Sequence, residues 1–122
     1  MEWNFRSDQP IYSQLTQRLT EAIVSGIYAP GEKLPSVRDL ALEAGVNPNT
    51  VQRALADLER DGLVFSQRTA GRFVTEDVSM LENAKLRLAD QCVESFLSEM
   101  AKLGCGRDEV IALLQGRKEE EP

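Results

Sequence analysis

Apolar residues recur at helical spacing near the N-terminus. After Pro10, isoleucine or leucine stands at every fourth position from 11 to 23, and Ala22 fills the same side. This spacing predicts an amphipathic helix over residues 10 to 25 that ends at Gly26. The segment that follows is rich in turn residues, and Gly31 within it is free to take a positive φ.

A second, shorter helix is predicted after Ser36. Ser36 is a preferred N-cap residue, and Asp39 three positions later gives an approximate capping box. Gly45 ends this helix. The buried stripe of the helix consists of Val37, Leu40, Ala41 and Ala44.

The third helix has the clearest start, because Asn47 is a preferred N-cap residue and Pro48 takes the first helical position, where its missing N–H costs nothing. Gly62 ends the helix, and only two residues separate helices two and three before the cap, as in a helix-turn-helix. One side of the helix is apolar: Val51, Ala54, Leu55 and Leu58. The other side carries Asn49, Arg53, Ala56 and Arg60, with Thr50 and Gln52 on its flanks.

Two short β-prone runs follow, at residues 63–66 and 72–75. The five residues between them include Arg68 and end in Gly71, so we expect a hairpin with a basic tip. The order of three helices and a hairpin predicts a fold that is mainly α with a small β-hairpin, a winged helix-turn-helix.

The last part of the chain predicts two more helices, over about 80–103 and 108–115, with more apolar surface than one small domain can cover. A helix-turn-helix with a basic hairpin supplies the parts needed to read duplex DNA, so we expect residues 1–76 to form a winged-helix DNA-binding domain. The surplus apolar surface predicts that residues 77–122 form a helical dimerisation region. A homodimer follows as a hypothesis. Its contact residues are predicted to be Leu81, Leu88, Cys92, Val93, Phe96, Leu97, Met100, Leu103, Leu113 and Leu114.

Charge is unevenly distributed along the 122 residues, whose formal net charge is −6. Residues 1–75 hold eight Arg and Lys against nine Asp and Glu, a net −1, whereas residues 76–122 hold six against eleven, a net −5. The acidity therefore lies mainly in the C-terminal part. It ends in Glu119–Glu121, which we expect to be a solvated, frayed terminus.

Several classes of function are disfavoured by what the sequence lacks. The chain has no histidine, no Gly-rich phosphate loop and no nucleophile with a base partner, so an enzyme, a metal site and a cofactor are not expected. Cys92 and Cys105 lack zinc-site spacing, and buried or idle thiols are favoured over a redox switch or an inter-subunit disulfide. No apolar run predicts a membrane span or a signal peptide, which favours a cytoplasmic protein without a membrane partner.

The ordered motifs closely resemble those of the GntR family of bacterial transcription regulators, and the N-terminal ones resemble its YtrA-type subfamily. The resemblance covers about residues 3–75 by motif, and the tail only by length and helicity. The motifs are Trp3–Phe5, Pro10–Leu15, Pro30–Ala41, Val46–Val51, Leu58–Leu63 and the hairpin.

This resemblance implies a dimer that binds a palindromic double-stranded DNA operator and leaves the DNA when a small-molecule effector binds. It also implies a repressor, with an adjacent transporter operon as a possible target. The roughly 45 residues after the hairpin leave no room for the larger effector domains of other members. Two positions depart from the family pattern. Thr69 replaces a glycine of the hairpin tip, and Pro48 stands where some relatives have arginine.

The N-terminal residues of a recognition helix face base edges in the major groove. Arg53 suits guanine O6 and N7, Asn49 or Gln52 suits adenine N6 and N7, and Thr50 suits a phosphate. We expect these four residues to form the reading surface. The alternative is a winged helix used only for protein contacts, which the polar and basic character of this face opposes.

Other residues are predicted to position the protein on DNA. Arg38 matches an arginine that family members direct at DNA, although an ion pair with Asp39 or Glu43 is the alternative. Ser36 lies where a helix N-terminus meets a phosphate. Arg68 and Gly71 would reach the minor groove or the backbone, while Arg72 is interpreted as a strand-end charge. Four aromatic residues suit core or interface packing better than a small pocket: Trp3, Phe5, Tyr12 and Tyr28.

Overall fold

The computed structural model describes Met1 and residues 3–117, which form five helices and one hairpin. The order confirms the predicted winged helix-turn-helix followed by two C-terminal helices. The predicted frayed terminus at Glu119–Glu121 lies outside the described residues. The elements are α1 (Ile11–Val24), α2 (Val37–Ala44), α3 (Pro48–Arg60), β1 (Val64–Gln67), β2 (Gly71–Val74), α4 (Val78–Lys102) and α5 (Arg107–Gln115).

The chain forms two compact units that meet within α4, between Lys85 and Leu86. The predicted division after residue 76 lies just before α4 and stays a prediction about which region binds DNA and which dimerises. None of the described helices is long and apolar enough to cross a membrane.

The first unit has one hydrophobic core, built from the stripes that the sequence predicts on α1, α2 and α3. Leu15 and Leu19 of α1 are fully buried, as are Leu55 and Leu58 of α3. Burying one such side chain stabilises the fold by about 1.5–3 kcal/mol. This packing of α1 on α3 fixes which side of α3 faces outward.

Both predicted N-caps of the helix-turn-helix are confirmed. Ser36 Oγ accepts a hydrogen bond from Asp39 N at 3.1 Å, and Asn47 Oδ1 accepts one from Asn49 N at 2.8 Å. Between the two helices Gly45 has a φ of 69°, with open space where a Cβ would stand, so the left-handed backbone alone requires glycine here.

The two strands are shifted by one residue from the predicted runs, so the expected five-residue loop was wrong. Gln67 pairs with Gly71, which leaves a turn of three residues, 68–70. Leu63 does not begin the strand because its N–H donates to Leu58 O at 3.0 Å and closes the end of α3. The hairpin from 64 to 74 is called the wing below.

A short extended segment before α2 also pairs with the wing, which the sequence analysis did not predict. Gly31 N donates to Val74 O at 3.0 Å, Leu34 N donates to Arg72 O at 2.9 Å, and Lys33 is bridged to Phe73. Leu34 precedes Pro35, and a residue before proline favours extended backbone. This third segment attaches the wing to the turn before α2.

The second unit contains the rest of α4, together with α5. Val110 of α5 is buried, whereas most of the other large apolar residues of this unit remain exposed. An open groove of about 540 Å³ is lined by Phe96 and Met100 of α4 and by Leu113 and Leu114 of α5. The free thiol of Cys92 is exposed and that of Cys105 is half-buried.

Candidate nucleic-acid interface

The outward side of α3 presents the side chains predicted to read bases. Asn49, Gln52 and Arg53 are exposed, and Thr50 is half-buried. Pro48 occupies the first turn, and the cap at Asn47 occupies one backbone donor there. The start of α3 is thus fixed in place while its polar side chains stay accessible.

Gln52 lies on the side of α3 that faces the wing. Its Oε1 accepts a hydrogen bond from Arg72 Nη1 at 3.4 Å. Arg72 Nε lies 3.6 Å from Glu59 Oε1, which also accepts a hydrogen bond from Ser66 Oγ. These four side chains connect the wing to α3.

Arg72 therefore does more than the strand-end charge interpreted from the sequence. It pairs with Ser66 in the middle of the hairpin, and only 21% of its side chain is exposed. The fold brings this residue onto Gln52, twenty positions earlier in the chain. No sequence spacing signals such a contact between a helix and a strand.

Arg53 lies against α1 rather than the wing. Its guanidinium carbon is 3.8 Å from the centroid of the Tyr12 ring, a cation–π contact. Gln52 and Arg53, both predicted to read bases, are therefore held on different flanks of α3, Gln52 by the wing and Arg53 by α1. Tyr12 was not among the predicted site residues.

A shallow groove of about 280 Å³ brings two predicted positioning residues together. Ser36 at the start of α2 and Gly71 of the wing both line it, with Lys33 and Arg72 alongside. A Cβ added to Gly71 would lie 3.0 Å from Lys33 Cε, so glycine leaves room for the lysine stem. Lys33 next to a helix N-terminus suits a phosphate, whereas the Arg72 guanidinium lies against Glu59 and Gln52.

Arg38 and Arg68 lie outside this groove, and both are exposed. Among the described residues Arg38 forms no ion pair, so the alternative of a pair with Asp39 or Glu43 is wrong. Glu43 Oε1 instead accepts a hydrogen bond from Trp3 Nε1 at 3.1 Å. The Arg38 guanidinium is therefore available for an external anion.

The turn of the wing contains the one non-glycine residue with a positive φ in the described part of the chain. Thr69 has a φ of 59°, and its hydroxyl donates to Arg68 O at 2.6 Å. Ala70 N donates to the same carbonyl at 2.6 Å. Thr69 thus follows the left-handed path that a glycine would take, and Arg68 stands at the exposed tip.

The predicted packing of the aromatic residues is confirmed for three of the four. Trp3 and Phe5 pack against the core, and Tyr28 is buried within it. Burial raises the pKa of the Tyr28 hydroxyl, and the carboxylates of Glu43 and Glu32 add to that effect. The Tyr28 hydroxyl is therefore neutral throughout the physiological range.

The residues predicted for dimerisation divide into three groups by their burial. Leu81 packs against the core of its own winged helix. Leu88, Leu97 and Met100 are half-buried. The remaining predicted residues are exposed: Cys92, Val93, Phe96, Leu103, Leu113 and Leu114.

Comparison with known proteins places this geometry in a family. A family model described as "Bacterial regulatory proteins, gntR family" matches residues 11–74, from the start of α1 to the end of the wing. The HTH-type transcriptional repressor YtrA from Bacillus subtilis (strain 168) is 34% identical over 124 residues, which covers 95% of each chain.

Solved structures show the same fold. A GntR family transcriptional regulator from Listeria monocytogenes superposes with a TM-score of 0.84 at 39% identity, covering 93% of this chain and 100% of that one. The DNA-binding domain of AraR in complex with operator ORE1 is similar with a TM-score of 0.53 at 28% identity, covering 62% of this chain and 94% of that one.

Proposed function

Because this chain belongs to the GntR family and is a YtrA-type DNA-binding transcriptional regulator rather than an enzyme, we propose that it acts as a homodimeric repressor on a palindromic operator. The observation that carries the proposal is the exposed polar face of α3, capped at Asn47 and tied to the wing through Gln52 and Arg72. An N-terminal face of this kind enters the major groove in other helix-turn-helix proteins.

In this proposal, two groups of residues have different tasks. Arg53, Gln52 and Asn49 bind base edges, with Arg53 on guanine, while Thr50 binds a phosphate. Ser36, Arg38, Arg68 and Gly71 position the domain on the DNA backbone or in the minor groove. Base contacts create sequence preference, whereas phosphate contacts add affinity for any sequence.

The test separates these two tasks by fluorescence anisotropy with a selected operator and with random duplex DNA. Arg53→Ala should weaken operator binding by about 1–3 kcal/mol and relax the base preference. Arg38→Ala should weaken binding to both duplexes alike and reduce the salt dependence. Wild-type behaviour of both variants would contradict the site assignment.

Arg60→Ala is the matched control for the loss of a positive charge on α3. Arg60 lies at the end of the helix and pairs with Asp57 at 2.9 Å, so its removal should leave the base preference unchanged. A loss of preference equal to that of Arg53→Ala would show that net charge, not position, is responsible.

The dimer is supported by the exposed apolar side chains of the second unit, since soluble monomers rarely expose large contiguous apolar patches. We expect gel filtration with light scattering to give the mass of two chains at micromolar concentration. Leu114→Glu, in the groove lined by α4 and α5, should shift the mass towards one chain. A wild-type monomer at that concentration would refute the dimer.

Operator geometry provides a second check on the dimer. Two symmetry-related recognition helices contact half-sites about one helical turn apart, roughly 10–10.5 base pairs between centres. In vitro selection of bound DNA should therefore return a palindrome with such spacing. The cytoplasm is the proposed location, because the operator lies there, and release by a small effector and control of a transporter operon complete the proposal.

A further inference from the structure

Arg53 differs from other arginines of the first unit in how its guanidinium is held. Arg6 directs two nitrogens at the carboxylate of Asp8, at 3.0 and 2.6 Å, and Arg60 pairs with Asp57. Among the described residues Arg53 has no carboxylate partner, and the contact recorded for it is with the Tyr12 ring. The guanidinium carbon lies 3.8 Å from the ring centroid, too close for an N–H edge to point at the ring, so Arg53 packs on Tyr12 by the face of its guanidinium.

We propose that Tyr12 is a positioning residue for base recognition, which holds the Arg53 guanidinium flat so that its N–H edge stays free for a guanine. The proposal deepens the proposed function and rests on its assignment of Arg53 as a base reader. It adds a residue of α1 to a reading surface otherwise built from α3.

The two interactions of Arg53 are compatible because they use different parts of one planar group. At 3.8 Å from the guanidinium carbon, the Tyr12 ring contacts the face of the guanidinium in a cation–π interaction. Bidentate recognition of guanine O6 and N7 uses the N–H donors in the plane. A carboxylate partner would occupy those donors, whereas an aromatic ring leaves them available.

Holding the side chain before binding also reduces the rotamer freedom that Arg53 loses on DNA. Tyr12 can serve as a fixed support because it lies in the first turn of α1, next to the Leu15 and Leu19 stripe that anchors α1 in the core. Loss of an exposed cation–π contact corresponds to about a two- to fivefold change in an equilibrium constant.

The experiment compares Tyr12→Leu, Tyr12→Phe and Arg53→Ala in the 122-residue chain. The operator is first obtained by in vitro selection with the wild type, and the guanine position whose preference Arg53→Ala abolishes is identified. The readout is the ratio of affinities for the operator and for the operator altered at that position. This ratio does not depend on the fraction of folded protein.

We expect Tyr12→Leu to lower the ratio about two- to fivefold and Tyr12→Phe to keep it near the wild-type value, since phenylalanine retains the ring. An NMR spectrum checks the geometry directly, because ring-current shifts of the Arg53 side-chain signals should persist in Tyr12→Phe and disappear in Tyr12→Leu. This pair of results would support the proposal.

Two results would overturn it, and both differ from a failure of the proposed function. If Arg53→Ala alters the base preference and Tyr12→Leu does not, Tyr12 has no positioning role. If Tyr12→Phe reduces the ratio as much as Tyr12→Leu, the hydroxyl rather than the ring is responsible. If Arg53→Ala leaves every base preference unchanged, the assignment of Arg53 as a base reader is wrong, and the positioning role of Tyr12 falls with it.

Discussion

Thr69 at the wing tip should limit stability, and its replacement by glycine should raise the melting temperature. A left-handed backbone costs a residue with a Cβ about 1–2 kcal/mol, and Thr69 has a φ of 59°. Glycine removes that cost but adds about 0.5–1 kcal/mol of freedom to the unfolded chain. The difference is a gain of about 0.7 kcal/mol, or roughly 3–6 °C for a domain of this size.

The lost hydroxyl contact changes this balance little. Thr69 is exposed, so water replaces the hydrogen bond that its hydroxyl donates to the carbonyl of Arg68. Thermal unfolding followed by circular dichroism at fixed protein concentration measures the effect. Concentration is held constant because a dimer makes the melting temperature depend on it.

Ala70→Gly is the matched control, because Ala70 is adjacent and does not have a positive φ. It adds the same freedom to the unfolded chain without relieving backbone strain, so it should lower the melting temperature. Gly71→Ala should lower it further, since Gly71 has a φ of 110° and its Cβ would meet the Lys33 stem at 3.0 Å. If Thr69→Gly behaved like Ala70→Gly, the reasoning from the left-handed turn would be refuted.

Two further predictions concern the connections of the wing and of α4. Arg72→Met should lower the free energy of unfolding by about 1 kcal/mol and weaken operator binding, because it removes the contacts to Glu59 and Gln52. A urea midpoint and an operator affinity that both equal those of the wild type would count against this prediction. The hydrogen bond from the Ser79 hydroxyl, together with the backbone N–H of residues 80 and 79, holds the pKa of Asp77 below its usual value. The stabilising effect of this carboxylate is then present above the ordinary aspartate pKa of about 3.9 and is lost as the pH falls through the lowered pKa. Asp77→Ala should therefore lower the melting temperature at pH 7, and the gap to wild type should close in acid; a gap independent of pH would exclude the carboxylate as its cause.

Local signals were sufficient to predict the helix-turn-helix. Ser36 and Asn47 mark helix starts by their own side-chain chemistry, and Gly45 marks the turn by a conformation that glycine adopts without strain. The apolar stripes assigned to α1 and α3 are buried, except for Ile11 at the start of α1, because helical spacing alone places them on one side. Each of these signals depends only on residues that are close together in the sequence.

Contacts between distant segments could not be predicted in the same way. Lys33 joins the wing through backbone pairing with Phe73, and Tyr12 meets Arg53 across 41 positions. Both contacts depend on how α1, α3 and the hairpin pack together, which no spacing within one segment encodes. The first strand begins one residue later than predicted for a related reason, because the N–H of Leu63 donates a hydrogen bond to Leu58 O at the end of α3.

The net charge of −6 is compatible with DNA binding because of where the cations lie. Three exposed cations lie on or near the helix-turn-helix and the wing: Lys33, Arg38 and Arg68. Much of the acidity lies instead beyond residue 75. Three phosphate contacts per chain correspond to a slope of log K against log salt of about −2.7, and two chains double it to about −5.4. Arg38→Ala should reduce the magnitude of the dimer's slope by about 1.8. A slope near zero would show that these cations do not contact phosphates, and a change of about 0.9 would mean that one chain, not two, engages each operator.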